Sequence, residues 1–245
     1  LANEALLDYA PETAIKIFVG KRADMHYIQQ REINKMIVHY ARTCGHVVRL
    51  KGGDPYVFGR GHEELDHARK YDIPTQYIPG ISSAMSVPGL SGIPLTKRGV
   101  NESFWVVTGT LKEESLAQDL YFAAQSSATV VILMGLKKLP EIVAVFQKYR
   151  GMGEEISLVQ DGSKKTERSI TGDLGSILYI QEKQQIMPPA IIVIGKVVGE
   201  KRKHLKAYNR TGGKTGKRSA EILINHCIAI SSLEEEDPSI FEDKS

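Results

Sequence analysis

Apolar residues recur along the chain at two spacings, helical and strand-like, and the switches between them outline the fold. Leu1, Ala5, Leu6 and Tyr9 fall at helical intervals before Pro11 stops the pattern. Ile15-Lys16-Ile17-Phe18-Val19 alternates as a strand and runs into Gly20-Lys21-Arg22-Ala23. From Tyr27 to Thr43 the residues Ile28, Ile33, Met36, Ile37, Tyr40 and Ala41 share one helical face, and Gly45 stands at the expected C-terminal stop. Strands are then predicted over His46–Leu50 and Thr75–Ile78, with a helix from about Gly61 to Tyr71 between them. Beyond the glycine- and proline-rich loop Gly89–Gly99, further strands are predicted at 104–108, 129–134, 156–159 and 191–194. Helices are expected from Gly135 to about Tyr149 and from Asp173 to about Glu182, with a polar crossover over Gly162–Gly172. Strands alternating with helices predict an α/β fold, with largely parallel pairing in the first half.

Several strand ends carry residues suited to ligands. Arg49-Leu50-Lys51-Gly52-Gly53-Asp54-Pro55-Tyr56-Val57-Phe58-Gly59-Arg60-Gly61-His62-Glu63-Glu64 follows an apolar run, the position where open α/β sheets bind their ligands. Gly52 and Gly53 let a backbone approach a ligand closely, and Asp54 can accept from its hydroxyls; an ordinary strand-to-helix turn uses the same residues. Glu63 and Glu64 suit the positive end of the following helix. At Pro79-Gly80-Ile81-Ser82-Ser83 the serines can cap a helix or bond a ligand. Lys21 and Arg22 are strand-end cations or solvated surface charges, and Met134 ends a buried strand as core or as a contact.

Composition narrows the classes of function without choosing one. The 245 residues are 42% hydrophobic and 25% charged, the profile of an ordinary globular protein, and the net charge of +3 is too small to argue for nucleic acid but suits an acidic small molecule. Cys44 and Cys227 are far apart, so neither a disulfide framework nor a zinc site is implied, and a reduced, cytoplasmic setting is the default. His62 and His67 fall on different helix faces, which argues against a metal pair. No apolar run reaches membrane-spanning length. Gly213-Lys214-Thr215 mimics a phosphate loop, but Tyr208 holds the position of its first glycine. Lys196 to Arg218 holds nine lysines and arginines against one acidic residue and reads as solvated linker, and the acidic end beyond it carries no derivable function.

The Arg-Leu-Lys-Gly-Gly-Asp-Pro turn with Gly59-Arg60-Gly61 resembles the uroporphyrinogen-III C-methyltransferases of the tetrapyrrole methylase superfamily. Val19-Gly20-Lys21-Arg22-Ala23, Pro79-Gly80-Ile81, Gly92-Ile93-Pro94-Leu95-Thr96, Leu133-Met134-Gly135-Leu136 and Pro189-Ala190-Ile191-Ile192-Val193-Ile194-Gly195 are also similar to family segments. Lys97 stands where that family usually has histidine. The resemblance implies two α/β domains, residues 1–98 and 99–206, joined by the glycine-proline loop, with the active site in the cleft between them; it stops at about residue 206, and 207–245 read by composition as a flexible tail. It implies a homodimer that binds S-adenosylmethionine and methylates uroporphyrinogen III on two ring carbons to precorrin-2, toward sirohaem or cobalamin. In that family Lys21 matches a proton donor, and Gly52, Gly53, Asp54, Val57, Ser82, Ser83, Met134 and Ala190 match cofactor contacts. Arg22, Arg49, Arg60 and Arg98 are the expected partners of the substrate's carboxylates, Arg49 and Arg60 foremost. No metal, nucleic acid or membrane is expected. The family also has a Gly-x-Gly-Pro-Gly-Asp loop and a Tyr-Asp-Arg-Leu segment with a proton-accepting aspartate. The chain opens at the leucine of that segment, so the expectation is an upstream extension and no activity from residues 1–245 alone. A methylase of a later corrin precursor and an inactive binding fragment are the competing expectations.

Overall fold

In the computed structural model, residues 4–20, 29–111 and 115–200 are described; Lys21 and Arg22 lie outside them. A compact unit spans Leu1–Val198, separate from Gly199–Ser245. After a 3-10 turn at Glu4–Tyr9 come α1 (Gln30–Cys44), α2 (Gly61–Arg69) and α3 (Ser83–Leu90). The second half runs β1 (Phe104–Thr108), α4 (Asp119–Gln125), β2 (Thr129–Leu133), α5 (Leu139–Arg150), β3 (Glu155–Gln160), β4 (Arg168–Asp173), α6 (Ile177–Gln184) and β5 (Ala190–Ile194). Gly45 ends α1 at φ 83°, a conformation glycine adopts without steric cost, and its N–H donates to the Ala41 carbonyl.

The five strands form one sheet in the order β1-β2-β5-β3-β4, in which β1 and β2 are parallel and the remaining neighbours antiparallel. Alternation along each strand divides the core. Val107, Val130, Ile132, Ile156, Leu158, Ile192 and Ile194 face a cluster with Leu120 of α4, Phe146 of α5 and Ile177 of α6. Val131, Val159, Ile191 and Val193 face the other way, against Ala84 and Val87 of α3 and Ile93. The sheet therefore carries α4, α5 and α6 on one face and α3 on the other, and the carboxyl ends of β1, β2 and β3 share an edge with the start of β5.

The sequence expectations fail at identifiable places. Among the described residues, Ile15–Val19, His46–Leu50 and Thr75–Ile78 form no regular element and join no ladder, so the parallel pairing expected of the first half is absent there. Alternation specifies a face, whereas a ladder also needs a neighbouring strand in register; Val48 stays 76% exposed and Ile78 64% exposed. The polar crossover holds β4, missed because an edge strand with one neighbour and an exposed face needs no apolar run. The helix expected from Asp173 begins at Ile177, because Asp173 instead receives the Ser176 amide and hydroxyl in a turn.

Candidate active site

The turn after Leu50 is organised by the Asp54 carboxylate. Its Oδ1 accepts the Tyr56 amide at 2.7 Å, while Oδ2 accepts the Tyr77 hydroxyl at 2.5 Å and the Gly80 amide at 3.2 Å. One side chain thus fastens two turns that lie well apart in sequence. The Tyr56 and Tyr77 rings stack with centroids 4.1 Å apart and planes 18° from parallel, closing a loop of contacts through Asp54. The Tyr77 hydrogen bond, followed by the Tyr56 amide, holds the Asp54 carboxyl below its ordinary range; the same bond, with some desolvation, pushes the Tyr77 phenol up to about 12.

Two glycines let the turns meet. A Cβ on Gly80 would lie 2.5 Å from the Gly53 carbonyl oxygen, so any larger residue forces the turns apart. Gly53 has φ 72°, and a Cβ there would sit 3.6 Å from Ser82 Cα and 3.7 Å from Ser83 N. Ser82 caps α3, its buried hydroxyl accepting the Ala84 amide at 3.3 Å, while Ser83 is exposed in the first helical turn. The backbones of 53–54 and 80–83 therefore form one surface.

Glu64 anchors the turn from behind. Buried to 4% exposure on α2, it accepts Gln30 Nε2 at 2.9 Å, Arg49 Nε at 3.3 Å and Lys51 Nζ at 3.0 Å. Glu63 accepts from Nε and Nη2 of Arg60 at 2.8 and 2.6 Å, and this pairing holds its carboxyl below the ordinary range. Both glutamates lie in the first turn of α2, as the sequence suggests, but they also bind two of the arginines singled out for substrate.

A cavity of about 440 Å³ opens beside the joined turns, lined by Tyr56, Val57, Phe58, Ser82, Ala84, Met85 and Val106. Of the candidate residues, Val57 and Ser82 line it; Asp54 bonds the amide of one wall residue, and Gly53 and Ser83 adjoin another. Met134 and Ala190 lie at the carboxyl edge of the sheet, outside this lining. Met134 is 57% exposed with φ 57°, and its carbonyl accepts the Thr110 hydroxyl at 2.9 Å. Ala190 pairs with Gln160 in the β3–β5 ladder. Gly52 and Arg98 are exposed, Arg98 in the turn after Lys97.

Sequence reading overlooked Tyr56, Phe58, Tyr77 and Met85. The pairing of Tyr77 with Asp54 has no local signature; the neighbouring Tyr-Val-Phe run, left exposed in the structure, is the one cue to an apolar wall. Apolar and aromatic walls, close backbone and a carboxylate with an acceptor position to spare make a donor and acceptor set that fits a nucleoside-like group. Among the described residues, no cluster of His, Cys, Asp or Glu is placed to hold a metal ion, and no helix is long and apolar enough to cross a membrane.

Comparison with known proteins agrees with this architecture. The model of the Tetrapyrrole (Corrin/Porphyrin) Methylases matches residues 1–178. A uroporphyrinogen-III C-methyltransferase of Methanocaldococcus jannaschii is 42% identical over 200 residues, 81% of this chain and 83% of the relative. A siroheme synthase of Nitrosomonas europaea is 36% identical over 220 residues, 89% of this chain but 46% of that protein, so the chain spans under half its length. The crystal structure of a Thermus thermophilus uroporphyrin-III C-methyl transferase complexed with S-adenyl homocysteine superimposes with a TM-score of 0.66 at 34% identity, covering 80% of this chain and 82% of that one. A cobalt precorrin-4 methyltransferase, 16% identical with a TM-score of 0.64, shares the fold. The chain belongs to the tetrapyrrole (corrin/porphyrin) methylase family.

Proposed function

We propose that the protein catalyses S-adenosylmethionine-dependent C-methylation of uroporphyrinogen III at two ring carbons, giving precorrin-2 and S-adenosylhomocysteine, and that it works as a homodimer. The observation that carries this reading is the closure of the two glycine turns on Asp54 beside an apolar cavity, in a chain 42% identical to a uroporphyrinogen-III C-methyltransferase.

When bound, S-adenosylmethionine supplies an electrophilic methyl group on a sulfonium. The protein's task is positioning and proton traffic, since methyl transfer needs nucleophile and methyl held in line. In this reading Gly52, Gly53, Ser82 and Ser83 offer backbone and hydroxyl contacts, Asp54 accepts from a ligand hydroxyl, and Val57, Met134 and Ala190 enclose the cofactor. The cleft lies between residues 1–98 and 99–206. Lys21 serves as proton donor. Arg22 and Arg98 hold substrate carboxylates, and Arg49 and Arg60 share theirs with Glu64 and Glu63.

The test is incubation of the full-length gene product with methyl-labelled S-adenosylmethionine and a panel of tetrapyrroles. Label entering uroporphyrinogen III supports the proposal; label entering a later corrin precursor alone refutes the substrate. Lys21→Met should depress turnover and spare binding of S-adenosylhomocysteine, and unchanged turnover removes Lys21 from the mechanism.

A further inference from the structure

We infer that Tyr77 is a positioning residue for the cofactor, its hydroxyl fixing the Asp54 carboxylate so that an acceptor position on Oδ1 stays available to a ligand hydroxyl. The inference rests on the cofactor reading above and assigns a role that the sequence did not suggest.

The geometry has three parts. A carboxylate offers about four acceptor positions. Oδ2 is taken by the Tyr77 hydroxyl and the Gly80 amide, whereas Oδ1 carries the Tyr56 amide at 2.7 Å. The terminal torsion of an aspartate is broad and two-fold, so the carboxylate keeps one orientation only if partners hold both oxygens. Tyr77 is itself held by its stack on Tyr56, which lines the cavity and whose amide bonds the same carboxylate. Cavity wall, carboxylate and phenol are therefore joined by direct contacts. The groups bonded to the Asp54 carboxylate are the Tyr77 hydroxyl and the amides of Tyr56 and Gly80, the nearby Val57 amide being spent on the Asp54 main-chain carbonyl at 3.2 Å, and Tyr77 is faced in turn by Asp54 and the Tyr56 ring. Losing the Tyr77 donor leaves Oδ2 with the longer Gly80 amide bond at 3.2 Å alone, which loosens the carboxylate and returns its titration toward the ordinary range.

The experiment is calorimetric titration of S-adenosylhomocysteine into the full chain and its variants, repeated from neutral pH down into the carboxylate range. Tyr77→Phe keeps the ring and removes the donor. It should weaken binding about tenfold and move the acid limb of binding upward, whereas loss of packing alone leaves that limb in place. In an Asp54→Asn background the same change should cost nothing further. Para-aminophenylalanine at position 77 restores a donor at the same reach and should recover most of the affinity, which keeps the test open if the Phe variant folds poorly. Wild-type affinity in Tyr77→Phe, a loss undiminished in the Asp54→Asn background, or no recovery with the amino analogue overturns the inference alone. Failure of the unaltered chain to bind S-adenosylhomocysteine overturns the cofactor reading and this inference with it.

Discussion

Replacing Glu64 with alanine removes the carboxylate on which Gln30, Arg49 and Lys51 converge. Glu64 is 5% exposed at its side chain, Lys51 12% and Arg49 29%, so the loss leaves one ammonium nearly buried and one guanidinium able to reach water. Breaking a buried pair by deleting one partner costs about 3–5 kcal/mol, and the accessible Arg49 argues for the lower end, about 3 kcal/mol. For a domain of this size that lowers the thermal midpoint by roughly 6–12 °C. Glu64→Gln preserves the shape and an acceptor for Lys51, so about half that loss is expected. The assay is thermal unfolding followed by circular dichroism, with and without 1 M NaCl. At that salt the screening length is about 3 Å, which abolishes surface pairs and leaves a buried one largely intact. A loss below about 0.5 kcal/mol, or one that disappears in salt, would show that Glu64 behaves as a surface glutamate. Because Lys51 and Arg49 open the candidate turn, the alanine variant should also weaken S-adenosylhomocysteine binding.

Other outcomes follow from the same geometry. Gly80→Ala places a methyl 2.5 Å from the Gly53 oxygen and should reduce cofactor binding, while Gly89→Ala in α3, with nothing within 4 Å, should be neutral or stabilise by about 0.5–1 kcal/mol; equal effects in calorimetry would remove the close approach from the account. Ser82→Ala should cost about 1 kcal/mol in urea unfolding through the lost cap of α3, and no change would mean that the 3.3 Å bond contributes nothing. The folded-state value of Asp54 is depressed, so its stabilisation is present above the ordinary carboxylate range and lost as pH falls through the lower folded value. Asp54→Asn should erase that part of the acid limb. Tyr77 shifts the other way: its contribution is complete below about 10 and lost as pH rises to about 12, so tyrosinate absorbance in wild type should show a late step that Tyr77→Phe lacks.

Where one segment determines its own conformation, the sequence was legible. Gly45 marks the end of α1, and the runs of β2 and β5 announce strands buried on both faces. Where structure depends on a partner distant in the chain, it was not. His46–Leu50 has a strand's alternation and no described neighbour to pair with, and β4 has a neighbour but no apolar run. The candidate site divides in the same way. Gly53, Asp54 and Ser82 stand out by residue type after apolar runs, yet the contacts that make them a site, Tyr77 on Asp54 and Gly53 against Gly80, join residues more than twenty positions apart. Arg49 stood out as a cation flanking a turn, and nothing local to it revealed Glu64 as its partner, whereas Arg60 and Glu63 are an i,i+3 pair that the sequence itself sets side by side.

The most direct test of the central claim is a crystal structure of the chain soaked or grown with S-adenosylhomocysteine. The expected ligand position is against Gly53, Asp54, Val57 and Ser83, with a ligand hydroxyl bonded to Asp54 Oδ1. A ligand lodged elsewhere, such as the groove of about 400 Å³ beside Lys35, Arg42 and His67, with the two glycine turns bare, would contradict it.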